Sequence, residues 1–224
     1  MLITGIIHEH QKRGIMICIP KHTRPMTLED YRPITFMNSD YKMLARIMAH
    51  RLQPALKEIL HPYQYGGTKG GGIFEEAATK REAIAHTELT GVQRCIISLD
   101  FSQAFDKISH EYLFCILQEY GFSTQFITYI QNIYNDASSQ IHINGHASEA
   151  IPIRRGVRQG CPLSMMLFTL CLNPLIWRLE RVMQGIDIAG KAKTAVVAYA
   201  DDLTIFLTDP REIAQLDESL QWYE

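Results

Sequence analysis

Two short apolar runs meet at a pair of carboxylates. Thr194-Ala195-Val196-Val197-Ala198-Tyr199 reads as a strand, Leu203-Thr204-Ile205-Phe206-Leu207 reads as its partner, and Asp201-Asp202 stands between them. So short a connection forces the chain to reverse at once, which predicts an antiparallel hairpin with two acids at its tip. Asp favours turns for local hydrogen-bonding reasons, so the pair alone says little about chemistry.

A third carboxylate changes that reading. Asp100 ends another apolar run, Cys95-Ile96-Ile97-Ser98-Leu99, which reads as a buried strand. If the strands lie in one sheet, Asp100 comes close to Asp201. Converging carboxylates repel one another unless cations neutralise them. Hard divalent ions suit such a cluster, Mg²⁺ best, because it accepts a few carboxylates and completes its shell with phosphate oxygens and water. Two such ions make the arrangement used for phosphoryl transfer.

The rest of the chain reads as alternating helices and strands. Gly14 to Pro20 is a strand, followed by a loop from Lys21 to Pro33 that carries Lys21, Arg24 and Arg32. Apolar positions Leu44, Ile47, Met48 and Leu52 predict a helix over 40–52, with Lys42, Arg46 and His50 on a second, basic side. A helix from Ile73 to Leu89 ends at Gly91, Ser109 caps a helix reaching about Tyr120, and a further helix from Ser123 reaches about Asn135. Asn144-Gly145 between Ser139–Ile143 and Ile151–Ile153 predicts a hairpin with a type I′ turn. Pro162 opens a long apolar helix running to about Met183, closed by Gly185, and Asp209-Pro210 begins a last helix. The GGTKGGG tract from Gly66 to Gly72 lacks the spacing of a Walker motif, Lys69 being misplaced, and its role stays open.

Composition excludes several classes. No apolar run approaches the roughly eighteen residues of a membrane helix, so no membrane association is expected. Five scattered cysteines form no zinc pattern and are expected to be reduced. The net charge of -2 is unevenly spread: residues 1–57 hold nine Lys/Arg against four acids, a net of +5, which leaves -7 for the remainder. A basic first quarter could hold phosphates while an acidic remainder holds metal ions.

Three blocks carry a resemblance. Ser98-Leu99-Asp100-Phe101-Ser102-Gln103-Ala104-Phe105-Asp106, then Arg155-Gly156-Val157-Arg158-Gln159-Gly160-Cys161-Pro162-Leu163-Ser164, then Tyr199-Ala200-Asp201-Asp202 stand in the order and rough spacing of the reverse transcriptases. The second block is similar to the substrate and template loop of non-LTR retrotransposon and group II intron enzymes, and is the most specific string in the chain. Ile17-Cys18-Ile19-Pro20-Lys21 and Tyr31-Arg32-Pro33-Ile34-Thr35 look like the fingers of the same enzymes, and Gln64 with Gly66 matches a further fingers block less well. Met165-Met166 departs from the family, which commonly has proline there.

The resemblance implies an α+β fold, the right-hand polymerase fingers and palm with an antiparallel palm sheet: fingers about 1–94 and 111–150, palm about 95–110 and 151–224. It implies Asp100, Asp201 and Asp202 as catalytic residues, and Asp100, Phe101 and Asp201 as the metal-binding ones. It implies Arg32, Lys21, Phe105, Arg158, Gln159, Gly160 and Tyr199 as substrate-binding residues, with Phe105 as the gate that excludes a ribose 2′-hydroxyl. The cofactor implied is Mg²⁺, two ions, with Mn²⁺ able to replace it. The partners implied are an RNA template, a DNA primer and dNTPs, and the setting nucleus and cytoplasm. The chain is expected to stop before the thumb, to belong to a longer polyprotein with an endonuclease and a thumb, and to polymerise poorly alone. A transposon remnant that binds RNA without turnover, and a group II intron enzyme, are the alternatives left open.

Overall fold

A computed structural model describes residues 7–68, 70, 72–91, 94–187 and 193–223; Lys69 and Gly71 of the glycine tract lie outside them. In chain order the elements are α1 (Glu9–Lys12), β1 (Arg13–Pro20), a single 3-10 turn (Leu28–Asp30), β2 (Tyr31–Phe36), α2 (Ser39–Ile59), α3 (Ile73–Thr90), β3 (Cys95–Asp100), α4 (Ala104–Lys107), α5 (His110–Glu119), α6 (Thr124–Tyr134), β4 (Ser138–Ile143), β5 (His146–Ala147), β6 (Ile151–Pro152), α7 (Ser164–Val182), β7 (Val196–Tyr199), β8 (Asp202–Leu207) and α8 (Glu212–Tyr223). They fall into two compact units, one made of Met1–Leu52 with Phe105–Leu167, the other of Gln53–Ala104 with Phe168–Glu224.

In the first unit a mixed sheet has the order β2-β1-β4-β5, with β6 pairing β4. β1 runs antiparallel to β2 and parallel to β4. Ser109 and Ser123 cap α5 and α6 by accepting the backbone N–H of Tyr112 and Phe126, and the two helices bury Leu113, Leu117, Ile130 and Ile133. Each cap satisfies a donor that the helix start leaves without a partner. The β4–β5 connection has Asn144 at φ 51 and Gly145 at φ 79, the left-handed pair that a type I′ turn requires. Pro33, expected in a loop, lies inside β2. That strand is at the sheet edge, where the amide hydrogen Pro33 lacks is not missed.

In the second unit an antiparallel sheet has the order β3-β8-β7. β7 and β8 are apolar and buried, with Val196, Val197, Ala198, Leu203 and Ile205 fully covered. β3, read from the sequence as buried, is an edge strand with Cys95 and Ile96 exposed. Tyr63, Ala83, Ile186, Val197 and Phe206 form a buried cluster with Tyr65 packed against it. α3 stops where expected, at Gly91 in the left-handed conformation. α2 does not stop at Leu52: it continues through Pro54 to Ile59, past the last residue its apolar pattern predicted. Leu56, on that added turn, is fully buried, an apolar gain set against the hydrogen bond that Pro54 cannot make.

Among the described residues no helix is long and apolar enough to cross a membrane. All five cysteines are free, Cys161 and Cys171 buried.

Candidate active site

The β3–β8 register puts Asp100 directly opposite Asp202, and the β7–β8 register puts Tyr199 opposite Asp202. The turn is therefore Ala200-Asp201 alone. Asp202, expected at the tip, is the first residue of β8, because a two-residue turn leaves no third position free. Its carboxylate takes hydrogen bonds from Lys80 Nζ and Ser98 Oγ, each at 3.5 Å, and Lys80 is itself held by Glu76.

Asp201 is half-buried, and its carboxyl is raised above the usual carboxylate range, first by burial and then by the negative charges of Asp100 and Asp202. Asp100 is exposed. Phe101, next along the chain, meets the ring edge of Tyr223 at 6.4 Å.

One side chain outside the acidic cluster fixes this turn. Gln64 is buried, and its Oε1 accepts from Ala200 N at 3.0 Å and Gly66 N at 2.8 Å while its Nε2 donates to Ala200 O at 3.3 Å. The backbone on both sides of Gln64 pairs with β7: Ala198 N donates to Tyr63 O at 2.9 Å and Tyr65 N to Ala198 O at 2.8 Å. A Cβ on Gly66 would stand 2.3 Å from Ala200 N, so only glycine lets the segment approach the turn this closely. Ala200 itself holds φ 55, a left-handed conformation that costs an alanine about 1–2 kcal/mol. In the sequence, only the spacing of Gln64 and Gly66 hinted at this clamp.

Apart from Tyr199, which borders the acidic turn, the groups read as nucleotide-recognising lie in the other unit. Arg32 is exposed on β2, opposite Ile19, and Lys21 is exposed just after the end of β1, its backbone N–H donating to Asp30 O at 2.8 Å. Thr35 N donates to Gln159 O at 2.9 Å, and a Cβ on Gly160, at φ +102, would stand 2.8 Å from Thr35 O. Val157 N donates to Phe105 O and Gly156 N to Ile108 O, both at 2.7 Å. Arg158, expected to offer donors to substrate, is 5% exposed and lies over the Tyr41 ring at 5.6 Å. Asp106, Gln159, Thr35 and Gly156 line one cavity of about 330 Å³, and burial raises the Asp106 carboxyl.

A divalent ion fits the acidic cluster. The raised Asp201 shows carboxylates crowding one another in a partly dry place, a strain that a cation relieves. Among the described residues no three His, Cys, Asp or Glu side chains converge on one point; an ion that shares its shell with phosphates needs only one or two carboxylates.

The chain has relatives among known proteins. The family model described as reverse transcriptase (RNA-dependent DNA polymerase) matches residues 19–223. The chain is 31% identical over 213 residues to a transposon TX1 protein of Xenopus laevis, covering 95% of this chain and 16% of that protein. It is 32% identical over 190 residues to the Pol polyprotein of the retrotransposable element R2DM of Drosophila melanogaster, covering 85% and 18%. An R2 element polyprotein of Popillia japonica is 32% identical over 188 residues, covering 84% and 26%. The chain thus spans between 16% and 26% of these relatives. In fold it is similar to the telomerase of Candida tropicalis, at a TM-score of 0.66 and 11% identity, over 97% of this chain and 40% of that one.

Proposed function

The chain belongs to the reverse transcriptase family, in its non-LTR retrotransposon branch, and on that premise we propose that it copies RNA into DNA by adding deoxynucleotides to a primer 3′-hydroxyl. The observation that carries this reading is the cross-strand pairing of Asp100 with Asp202 around the raised carboxyl of Asp201. An arrangement that penalises its own negative charge is one prepared for cations.

Asp100 and Asp201 would hold the metal, with the Phe101 backbone beside them. Asp202, already engaged by Lys80 and Ser98, supplies supporting charge rather than a ligand. Reverse transcriptases depend on divalent ions; bound here, a pair of them would activate the primer oxygen and neutralise the charge that develops on the departing pyrophosphate. Mg²⁺ is the ion this donor set suits, and Mn²⁺ can replace it. The primer oxygen displaces pyrophosphate from the α-phosphate of the incoming dNTP. The exposed Arg32 guanidinium, with Lys21, would clamp the triphosphate, since a fixed guanidinium matches phosphate geometry. The Phe105 ring would lie under the sugar and exclude a 2′-hydroxyl; Gln159 and Gly160, and in the other unit Tyr199, are the further substrate-binding candidates. Arg158, buried over Tyr41, would serve by shaping the loop that presents Gln159.

On this reading the palm is about 95–110 and 151–224, the fingers are about 1–94 and 111–150, and the chain works in nucleus and cytoplasm as part of a longer protein that adds a thumb and an endonuclease. Primer extension by the native protein on an RNA template with dNTPs tests it. The expected result is template-dependent extension that a chelator abolishes. Tight RNA binding without any extension would overturn the catalytic reading in favour of a non-catalytic RNA-binding remnant.

A further inference from the structure

The loop Arg155 to Gly160 is joined to the segment carrying Phe105 by backbone hydrogen bonds and by one side chain. Val157 N donates to Phe105 O, Gly156 N donates to Ile108 O, Arg155 forms an antiparallel bridge with Ser109, and His110 Nε2 meets Gly156 O at 3.0 Å. The contact is too close for any side chain at its centre. A Cβ on Gly156, at φ +84, would stand 2.8 Å from Asp106 Cα and 2.9 Å from the carbonyl oxygens of Asp106 and Phe105. These are backbone atoms, so the clash cannot be relieved by turning a side chain.

Gly156 therefore fixes where the Phe105 carbonyl lies, and through it the Cα from which the ring projects. We infer that Gly156 is a positioning residue for sugar selection: it holds Phe105 at the height where the ring tolerates a 2′-hydrogen and refuses a 2′-hydroxyl. The inference rests on the proposed gate role of Phe105. A gate works by a clash over a few tenths of an ångström, so a backbone shift of that size is felt in selectivity before it is felt in chemistry. Gly160 serves the other end of the same loop, packed on Thr35 O, which keeps the strap from following a displaced Gly156.

The test compares single-nucleotide incorporation of a dNTP and the matching rNTP by the native protein and its variants. Gly156→Ala is expected to lower the ratio of dNTP to rNTP efficiency by about tenfold or more, since small displacements at a reacting centre carry effects of that order. In a Phe105→Ala background the same substitution should change the ratio no further, because the gate through which it acts is gone. His110→Ala, which removes one tie without adding bulk, should move the ratio in the same direction by less, and decides the matter if Gly156→Ala does not fold. Equal loss for both nucleotides in Gly156→Ala, or an unchanged ratio in His110→Ala when only that variant folds, would overturn the inference. Failure of Phe105→Ala alone to relax selection would instead remove the gate itself, a distinguishable outcome.

Discussion

Gln64 does more for the acidic turn than any residue within it. Ala200 is held left-handed against its own preference by two hydrogen bonds with one buried amide, which also accepts from Gly66 N. Gln64→Leu keeps most of the volume but leaves the N–H of Ala200 and of Gly66 without a partner. We expect a loss of about 2–3 kcal/mol in urea unfolding, the cost of stranding buried polar groups. His61 lies in the same unit, 4% exposed, with Trp177 edge-on at 4.6 Å and burial lowering its imidazole to about 4. The folded value lies below the ordinary 6.5, so the folded state binds fewer protons than the unfolded chain through this window. The stability it contributes is full above 6.5 and is lost as pH falls towards about 4. Urea midpoints measured across that range should fall for the wild type and stay flatter for His61→Gln.

At the scale of elements, local signals were the legible ones. Ser109, Ser123 and Gly91 mark helix ends in the sequence and in the structure alike, because caps are settled within one turn of chain. Asn144-Gly145 was equally plain. What escaped reading depends on distant partners. β2 hid inside an apparent loop because Pro33 reads as a breaker until its edge position is known, and the parallel β1–β4 pairing leaves no local trace at all. β3 looked buried because apolar composition does not distinguish an edge strand from a central one. Two glycines separate strain from space. A Cβ on Gly91 meets nothing, so Gly91→Ala should cost only the left-handed penalty, about 1–2 kcal/mol. Gly66→Ala must drive Cβ into the Ala200 backbone and should cost more, with thermal denaturation ranking the two.

For the whole molecule, the candidate acids stand out in the sequence more readily than the architecture. Asp100, Asp201 and Asp202 announce themselves as acids closing apolar runs, whereas each unit is assembled from two separated stretches of chain, which no linear reading delimits. On the proposed metal-binding role, the carboxylates make stability depend on cations. Asp201 is raised in the folded state, so without metal its contribution is retained at low pH and lost as pH rises through that raised value. Asp201→Asn should thus melt at a higher temperature than the metal-free wild type at neutral pH, and added Mg²⁺ should stabilise the wild type more than the variant. The central claim, that Asp201 holds metal while Asp202 is tied to Lys80 and Ser98, is tested most directly by primer extension with Asp201→Asn beside Asp202→Asn. A loss of about a thousandfold or more is expected for Asp201→Asn, as for a metal ligand, and a distinctly smaller one for Asp202→Asn. Equal losses, or the larger loss at Asp202, would contradict it.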